Sequence, residues 1–343
     1  MKLLILSTLV FGHCASMSVT CDNDYSCTVT QLTGHHLRDL IAHPFENVSN
    51  LKLRDTHLPV LVVSSLHPNL HQLSLERCQI DRLIVPTNCL LNFLTLDKTF
   101  GRIRTFPGAR LRYLSVSKSE ISSLLPALIN LTALETIRLS NVRIPTFDFD
   151  MLCDMRQLFI AELNYNRIEQ LHLSPNRTCC QNLTEIDLSF NRLTTLDLAL
   201  INRLKGLKRL RLSNNKIAEL NGMLELPYLL ELNLSGNRIK IIDLCRWNIE
   251  MLMDLNVNDN QIDRMPSCIE RLEHLMSISI ADNLLVEVDF APFAKLGLLH
   301  TDFSRNRISV VHNYHVLSRD VCLMVEGNPI SNSSYICKGI EFI

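Results

Sequence analysis

The chain has 343 residues, 47% of them hydrophobic and 20% charged, which is ample for a large core and excludes a disordered polymer. With 34 basic and 35 acidic residues the formal net charge is −1, so no charge imbalance points to nucleic acid or an anionic membrane. A length beyond that of one ordinary core leaves two domains or one repeat array, and the array is tested first.

The N-terminus has the organisation of a signal peptide. Lys2 supplies a positive start, Leu3 to Gly12 form an apolar run too short to span a bilayer, and small residues follow at Ala15, Ser16 and Ser18. Cleavage is expected near Ser16. No later run of 18 apolar residues occurs, and the end from Lys338 to Ile343 is short for a lipid-anchor signal, so a secreted, extracellular product is expected. Six Asn-x-Ser/Thr sequons, at Asn47, Asn130, Asn176, Asn182, Asn233 and Asn332, are candidate glycosylation sites in such a product.

From Val48 onward one phrase keeps returning, L-x-x-L-x-L-x-x-N-x-L. Its clearest copies run from Leu183 through Asn191 to Leu193 and from Leu207 through Asn215 to Ile217. Leu229 to Ile239, Leu252 to Ile262, Leu275 to Leu285 and Leu298 to Ile308 continue the series, and Leu323 to Ile330 closes it. Upstream, Leu158 to Ile168 keeps Asn166, whereas Val142, Ser119, Cys78 and Thr56 take the asparagine slot in units starting at Leu134, Leu111, Leu70 and Val48. A further copy near Leu91 to Ile103 carries an apparent insertion around Phe100 and Gly101.

The phrase has a physical reading. Leucines two apart share one face of a short strand, and one unit buries that face only when stacked on its neighbours. A buried asparagine at the bend can both donate to and accept from neighbouring backbone. The expected fold is therefore α/β, a leucine-rich-repeat solenoid (horseshoe) of about thirteen repeats. A parallel sheet roughly 60 Å long would line its concave face. Short helices or 3₁₀ turns are expected on the convex face, from the helical spacing of Ala199 to Leu207, Leu244 to Leu252 and Ser267 to Leu275. The weaker ladder residues predict a less regular N-terminal half. Domain boundaries follow: 1–16 signal peptide, 17–47 N-terminal cap, 48–320 repeats, 321–343 final repeat and C-terminal cap.

Of twelve cysteines, Cys14 would leave with the signal peptide, and the remaining eleven suit an oxidising compartment. Cys21 with Cys27 and Cys322 with Cys337 fit disulfide-closed caps. Cys245 and Cys268 lie one repeat apart, where a bridge or two buried thiols would fit, and Cys153 is one repeat from Cys179 and Cys180, one of which is its expected partner. An odd total leaves at least one thiol over, from Cys78, Cys89 or the doublet, and leaves a disulfide-linked dimer open.

Catalytic signatures are missing: there is no Gly-x-Ser-x-Gly, phosphate loop or His-Glu-x-x-His. His312-x-x-His315 and the pair His35-His36 lack an acidic or thiol companion and read as polar surface. No enzyme, cofactor or metal is expected. Function is expected instead on the non-leucine strand positions of the concave face: Lys52, Arg54, Arg77, Lys98, Lys118 and Arg138, then Tyr165 and Phe190, then Arg209 and Arg211, then Asp254, Asp259, Asp282 and Asp302. This reads as a basic-to-acidic gradient with a central aromatic anchor for a protein ligand.

The signal peptide, the Cys21/Cys27 cap, the repeats and the Cys179-Cys180 doublet together resemble the secreted leucine-rich-repeat immune proteins of mosquitoes. The resemblance implies an innate-immune factor that binds extracellular proteins, complement-like thioester proteins among them, or pathogen surfaces. Longer members continue into a coiled coil, and no heptad run is present here. An adhesion or receptor-like protein, or a horseshoe-type inhibitor of another protein, is the alternative reading.

Overall fold

The computed structural model describes residues 17–23, 25–34, 48–66, 69–86, 89–105, 110–119, 128, 130–175, 180–220, 222–317, 322–330 and 335–337. The expected signal segment, most of the cap between 35 and 47, His35, His36, Cys179 and the sequons at Asn47, Asn176 and Asn332 lie outside them. The chain forms two compact units, Met1–Val142 with Phe149–Glu162, and Arg143–Asp148 with Leu163–Ile343.

In the first unit the strands are β1 (Ser18–Asn23), β2 (Ser26–Thr30), β3 (Asn50–Arg54), β4 (His57–Val62), β5 (Gln72–Glu76), β6 (Gln79–Ile84), β7 (Phe93–Asp97), β8 (Phe100–Thr105), β9 (Tyr113–Ser117), β10 (Thr136–Ser140) and β12 (Ile160–Glu162). The main sheet runs β1-β2-β3-β5-β7-β9-β10-β12, with every neighbour parallel except the β1–β2 hairpin. That hairpin sets Cys21 opposite Cys27, and a disulfide joins them.

The second unit holds β11 (Thr146–Asp148), β13 (Gln170–His172), β14 (Glu185–Asp187), β15 (Arg209–Arg211), β16 (Glu231–Asn233), β17 (Asp254–Asn256), β18 (Ser277–Ser279), β19 (Glu287–Asp289), β20 (His300–Asp302), β21 (Val310–His312), β22 (Cys322–Met324) and β23 (Tyr335–Cys337). Its main sheet runs β14-β15-β16-β17-β18-β20-β22-β23, parallel until the last pair. There the backbone turns antiparallel and sets Cys322 opposite Cys337, the register that holds the bonded pair in β1 and β2. The Cys245–Cys268 bridge is also formed.

Each of the thirteen phrases thus supplies one strand to a main sheet, and the phrase leucines are buried beneath it; Leu210, Leu212, Leu255 and Ile278 are fully enclosed. Strand length divides by ladder residue. Units with Thr56, Cys78, Thr99, Ser119 or Val142 have five-residue strands, and units with asparagine have three-residue strands. Asn191 Nδ2 donates to Leu163 O and Leu188 O at 3.0 and 2.9 Å, and its Oδ1 accepts from Ile168 N at 2.9 Å, so a side chain takes over the carbonyls at the strand end. The N-terminal half thus has the longer strands, and it also holds the register slip between β6 and β8.

Thr99 also corrects the apparent insertion. Its Oγ1 donates to Leu75 O and Asp97 O at 3.1 and 3.2 Å, so the repeat stays in phase through the ladder position. The irregularity sits at Gly101, where φ is +136° and an added Cβ would lie 1.7 Å from Ile80 O. The register between β6 and β8 slips beside it.

The opposite side has less helix than the spacing predicts. Among the described residues the one α-helix is Leu198–Ile201, capped by Asp197, with 3₁₀ turns such as Ile269–Arg271; no helix forms over 244–252. Short parallel strands replace it in β4-β6-β8, β11-β13 and β19-β21. In β4, Val60 and Val62 are β-branched and favour that outcome.

A candidate protein-binding face

Two columns carry the predicted site residues, not one. Lys52, Arg54, Arg138, Arg209, Arg211, Asp254 and Asp302 stand within the strands. Arg77, Lys98, Lys118, Tyr165, Phe190, Asp259 and Asp282 lie beyond the strand ends, one residue before the ladder residue, and each has φ between 47° and 55°. That left-handed backbone recurs in all thirteen units, at Asp55, Asn141, Asn214, Gly236, Arg305 and Gly327 as well. Glycine, asparagine and aspartate tolerate it, whereas a lysine, arginine or aromatic there costs about 1–2 kcal/mol.

Several side chains in this column touch across adjacent units. Arg77 makes a two-pronged bridge to Asp55, at 2.7 and 2.8 Å, and Arg305 does the same to Asp282, at 2.6 Å for each bond. The Tyr165 and Phe190 rings stack at 4.3 Å and 8° from parallel while remaining 52% and 40% exposed. Beyond Phe190 the column narrows to Asn214 and Gly236, which pack so closely that a Cβ on Gly236 would meet Asn214 Oδ1 at 2.8 Å. The stack is therefore an open aromatic shelf with small neighbours on its C-terminal side.

Within the strands the cations are paired. Lys52 and Arg54 converge on Glu76, at 2.5 and 3.0 Å, and together hold its carboxyl down to about 2, with the Lys52 hydrogen bond the larger cause. Arg138 pairs with Glu162 at 2.9 Å and donates to Tyr113 Oη at 3.0 Å. Arg211 bridges Glu185 and Glu231, at 2.5 and 2.8 Å, and Arg209 lies 3.4 and 3.5 Å from the same two carboxylates. The expected basic run in the first half is thus largely met by Asp55, Glu76 and Glu162. Lys98 and Lys118 remain exposed and form no salt bridge among the described residues.

The late repeats stay acidic, with Asp254 and Asp302 in strands, Asp259 beyond a strand end, and Asp282 bound by Arg305. Burial, and then the nearby Glu231 charge, push the Asp254 carboxyl above its ordinary range. Of the sequons described, Asn130 and Asn182 are exposed, while Asn233 is half-buried in β16 with its Oδ1 accepting from Ser235 N and Oγ at 3.0 and 2.7 Å. His312 lies at the end of β21 and His315 in the following turn.

Sequence reading missed a second aromatic pair. Phe93 and Tyr113 open successive strands with ring centroids 5.8 Å apart, and the Arg138 guanidinium lies 5.4 Å from the Tyr113 ring. Phe93 is exposed. The visible signal was an aromatic at the first strand position of two neighbouring units.

Comparison with known proteins agrees with the repeat. A leucine-rich-repeat family model matches residues 181–239. The leucine-rich repeat-containing G-protein coupled receptor 5 of Rattus norvegicus is 30% identical over 129 residues, covering 37% of this chain and 14% of that protein. Lumican of the same species is 26% identical over 193 residues, 49% of this chain and 54% of that protein. The chain therefore spans at most about half the length of these relatives. Among solved structures, a leucine-rich-repeat protein of Leptospira interrogans superposes with a TM-score of 0.62 at 18% identity, over 89% of this chain and 96% of the other. The Drosophila Toll–Spatzle complex gives 0.56 at 18% identity, over 91% and 51%. These likenesses place the chain in the leucine-rich-repeat fold.

Proposed function

We propose that this leucine-rich-repeat solenoid is a secreted binding protein of innate immunity, with another extracellular protein as its ligand. The observation that carries the reading is the Tyr165–Phe190 shelf. Two large rings remain exposed on left-handed backbone, where asparagine or glycine fits at less cost in neighbouring units. Strain retained under an exposed apolar surface is the pattern of a site kept for contact, and aromatic anchors dominate protein interfaces.

Export is supported by the two bridges, Cys21–Cys27 and Cys245–Cys268, which persist in oxidising compartments. Residues 1–16 would be the signal peptide, 17–47 the N-terminal cap, 48–320 the repeats, and 321–343 the last repeat with its cap. Complement-like thioester proteins or pathogen-surface proteins are the partners that the family resemblance favours, and the Toll–Spatzle neighbour is a complex with a role in innate immunity. An odd cysteine would allow a disulfide-linked dimer. The binding face needs no cofactor or metal for this role, and no enzymatic step is part of the proposal.

The test is to recover the chain from medium of expressing cells, with and without reductant, and identify what co-purifies. Secretion with loss of residues 1–16 and an immune partner supports the reading. Intracellular retention, or secretion as a monomer without such a partner, removes it.

A further inference from the structure

A second exposed surface lies apart from the aromatic shelf, on the residue just before each strand's first inner position. In the first unit this slot holds Ser49, His71, Asn92, Arg112, Glu135 and Phe159, and in the second it begins with Thr184 and Lys208. Then it changes to Leu230, Met253, Met276 and Leu299 on four successive repeats. The backbone is the same throughout. Asn92 N donates to His71 O at 2.8 Å, Met253 N to Leu230 O at 2.9 Å, Met276 N to Met253 O at 2.9 Å and Leu299 N to Met276 O at 2.7 Å. The fold accepts polar residues in this slot, so the apolar row is not a packing requirement. Met253, Met276 and Leu299 are 36%, 40% and 72% exposed, and Tyr228 and Met251 widen the row on one side.

The borders of the row are acidic. Glu250 and Glu273 stand two residues before Leu252 and Leu275, and Asp254 opens β17 on the other side. None of the three forms a salt bridge among the described residues, while the cations of β15, two strands from β17, are engaged by Glu185 and Glu231. Successive slots repeat every ~4.8 Å, so four side chains form a line of roughly 14 Å. That step is close to the 5–6 Å between side chains three or four apart on a helix, and far from the ~7 Å between same-face residues of a strand. Flexible thioethers adapt to an irregular apolar partner.

We infer that the Leu230–Met253–Met276–Leu299 row is a docking site for an amphipathic helix of a partner protein, one whose apolar stripe is flanked by lysine or arginine. The helix lies along the row, its apolar side chains against Met253 and Met276 and its cations against Glu250, Glu273 and Asp254. The site is independent of the Tyr165–Phe190 shelf.

The probe is a synthetic 18-residue helix with a leucine stripe and lysine flanks, titrated by fluorescence anisotropy against the full chain and compared with a glutamate-flanked twin. The variant is M253N/M276N, since Asn92 already occupies this slot; its melting temperature, measured alongside, reports that it folds. The expected results are saturable binding of the lysine peptide, at least tenfold weaker binding to the double variant, weakening by salt, and little binding of the glutamate twin. E250Q/E273Q, which leaves the apolar row untouched, should reduce affinity for the lysine peptide alone. Equal binding of both peptides, or equal affinity for wild type and M253N/M276N, overturns the inference. So does a concentration-dependent dimer in ultracentrifugation that the double variant abolishes, because the occupant would then be a second copy of the chain.

Discussion

The rings of Tyr165 and Phe190 stack at 4.3 Å although each residue's backbone is left-handed, with φ of 55° in both. The stack returns about 0.5–1.5 kcal/mol, close to what one of the two backbone conformations costs. Replacing both residues by asparagine relieves two such costs and loses one stack, so it should leave stability unchanged or raise it by up to about 3 kcal/mol. Urea denaturation of Y165N/F190N measures this, and a clear loss of stability would make the pair structural.

The ladder should be far more sensitive. Asn260 Nδ2 donates to Leu234 O and Val257 O at 3.0 and 3.1 Å, and its Oδ1 accepts from Ile239 N at 3.0 Å. N260A removes all three bonds but leaves only the buried Ile239 N–H unpaired, since Asn237 and Asn283 still donate to Leu234 O and Val257 O, and should cost about 2–3 kcal/mol. T99A removes a single hydroxyl and should cost about 1–2 kcal/mol. Denaturant midpoints of the two variants compare them directly.

Glu76 makes part of the stability dependent on pH. Its carboxyl is held to about 2 in the folded chain by Lys52 and Arg54, against 4.5 ordinarily, so the folded state binds its proton less readily. The stabilisation is complete above pH 4.5 and drains away as the pH falls toward 2. Wild type should exceed E76Q in urea midpoint at pH 7 by more than at pH 3. A gap that does not shrink would mean that the carboxylate charge is not what matters.

The Cys245–Cys268 bridge closes a segment 23 residues apart in sequence. Loop-closure entropy alone predicts a loss of about 3 kcal/mol for C245A/C268A. Thermal unfolding of the variant, under non-reducing conditions, gives the value.

How much of this was legible in the sequence differs by feature. The leucines and asparagines fixed the strands and their order because burial and amide bonding act within one unit and its neighbour. The left-handed column was readable too, from two glycines and five asparagines or aspartates before the ladder residue, but Arg77, Tyr165 and Phe190 disguise it. Charge could not be read one residue at a time. Lys52, Arg54 and Arg211 looked like free cations until the neighbouring strands set Glu76, Glu185 and Glu231 against them. The strands β4, β6 and β8 were hidden because their sequences, HLPVLV, QIDRLI and FGRIRT, share no alternating apolar pattern.

On the proposed function, the exposed Tyr165–Phe190 shelf binds an extracellular protein. The direct measurement is quantitative mass spectrometry of proteins retained from extracellular fluid by immobilised wild type and by Y165N/F190N. A partner should be held by wild type and depleted at least tenfold by the variant, with the variant no less stable than wild type. Identical retention by both would contradict it.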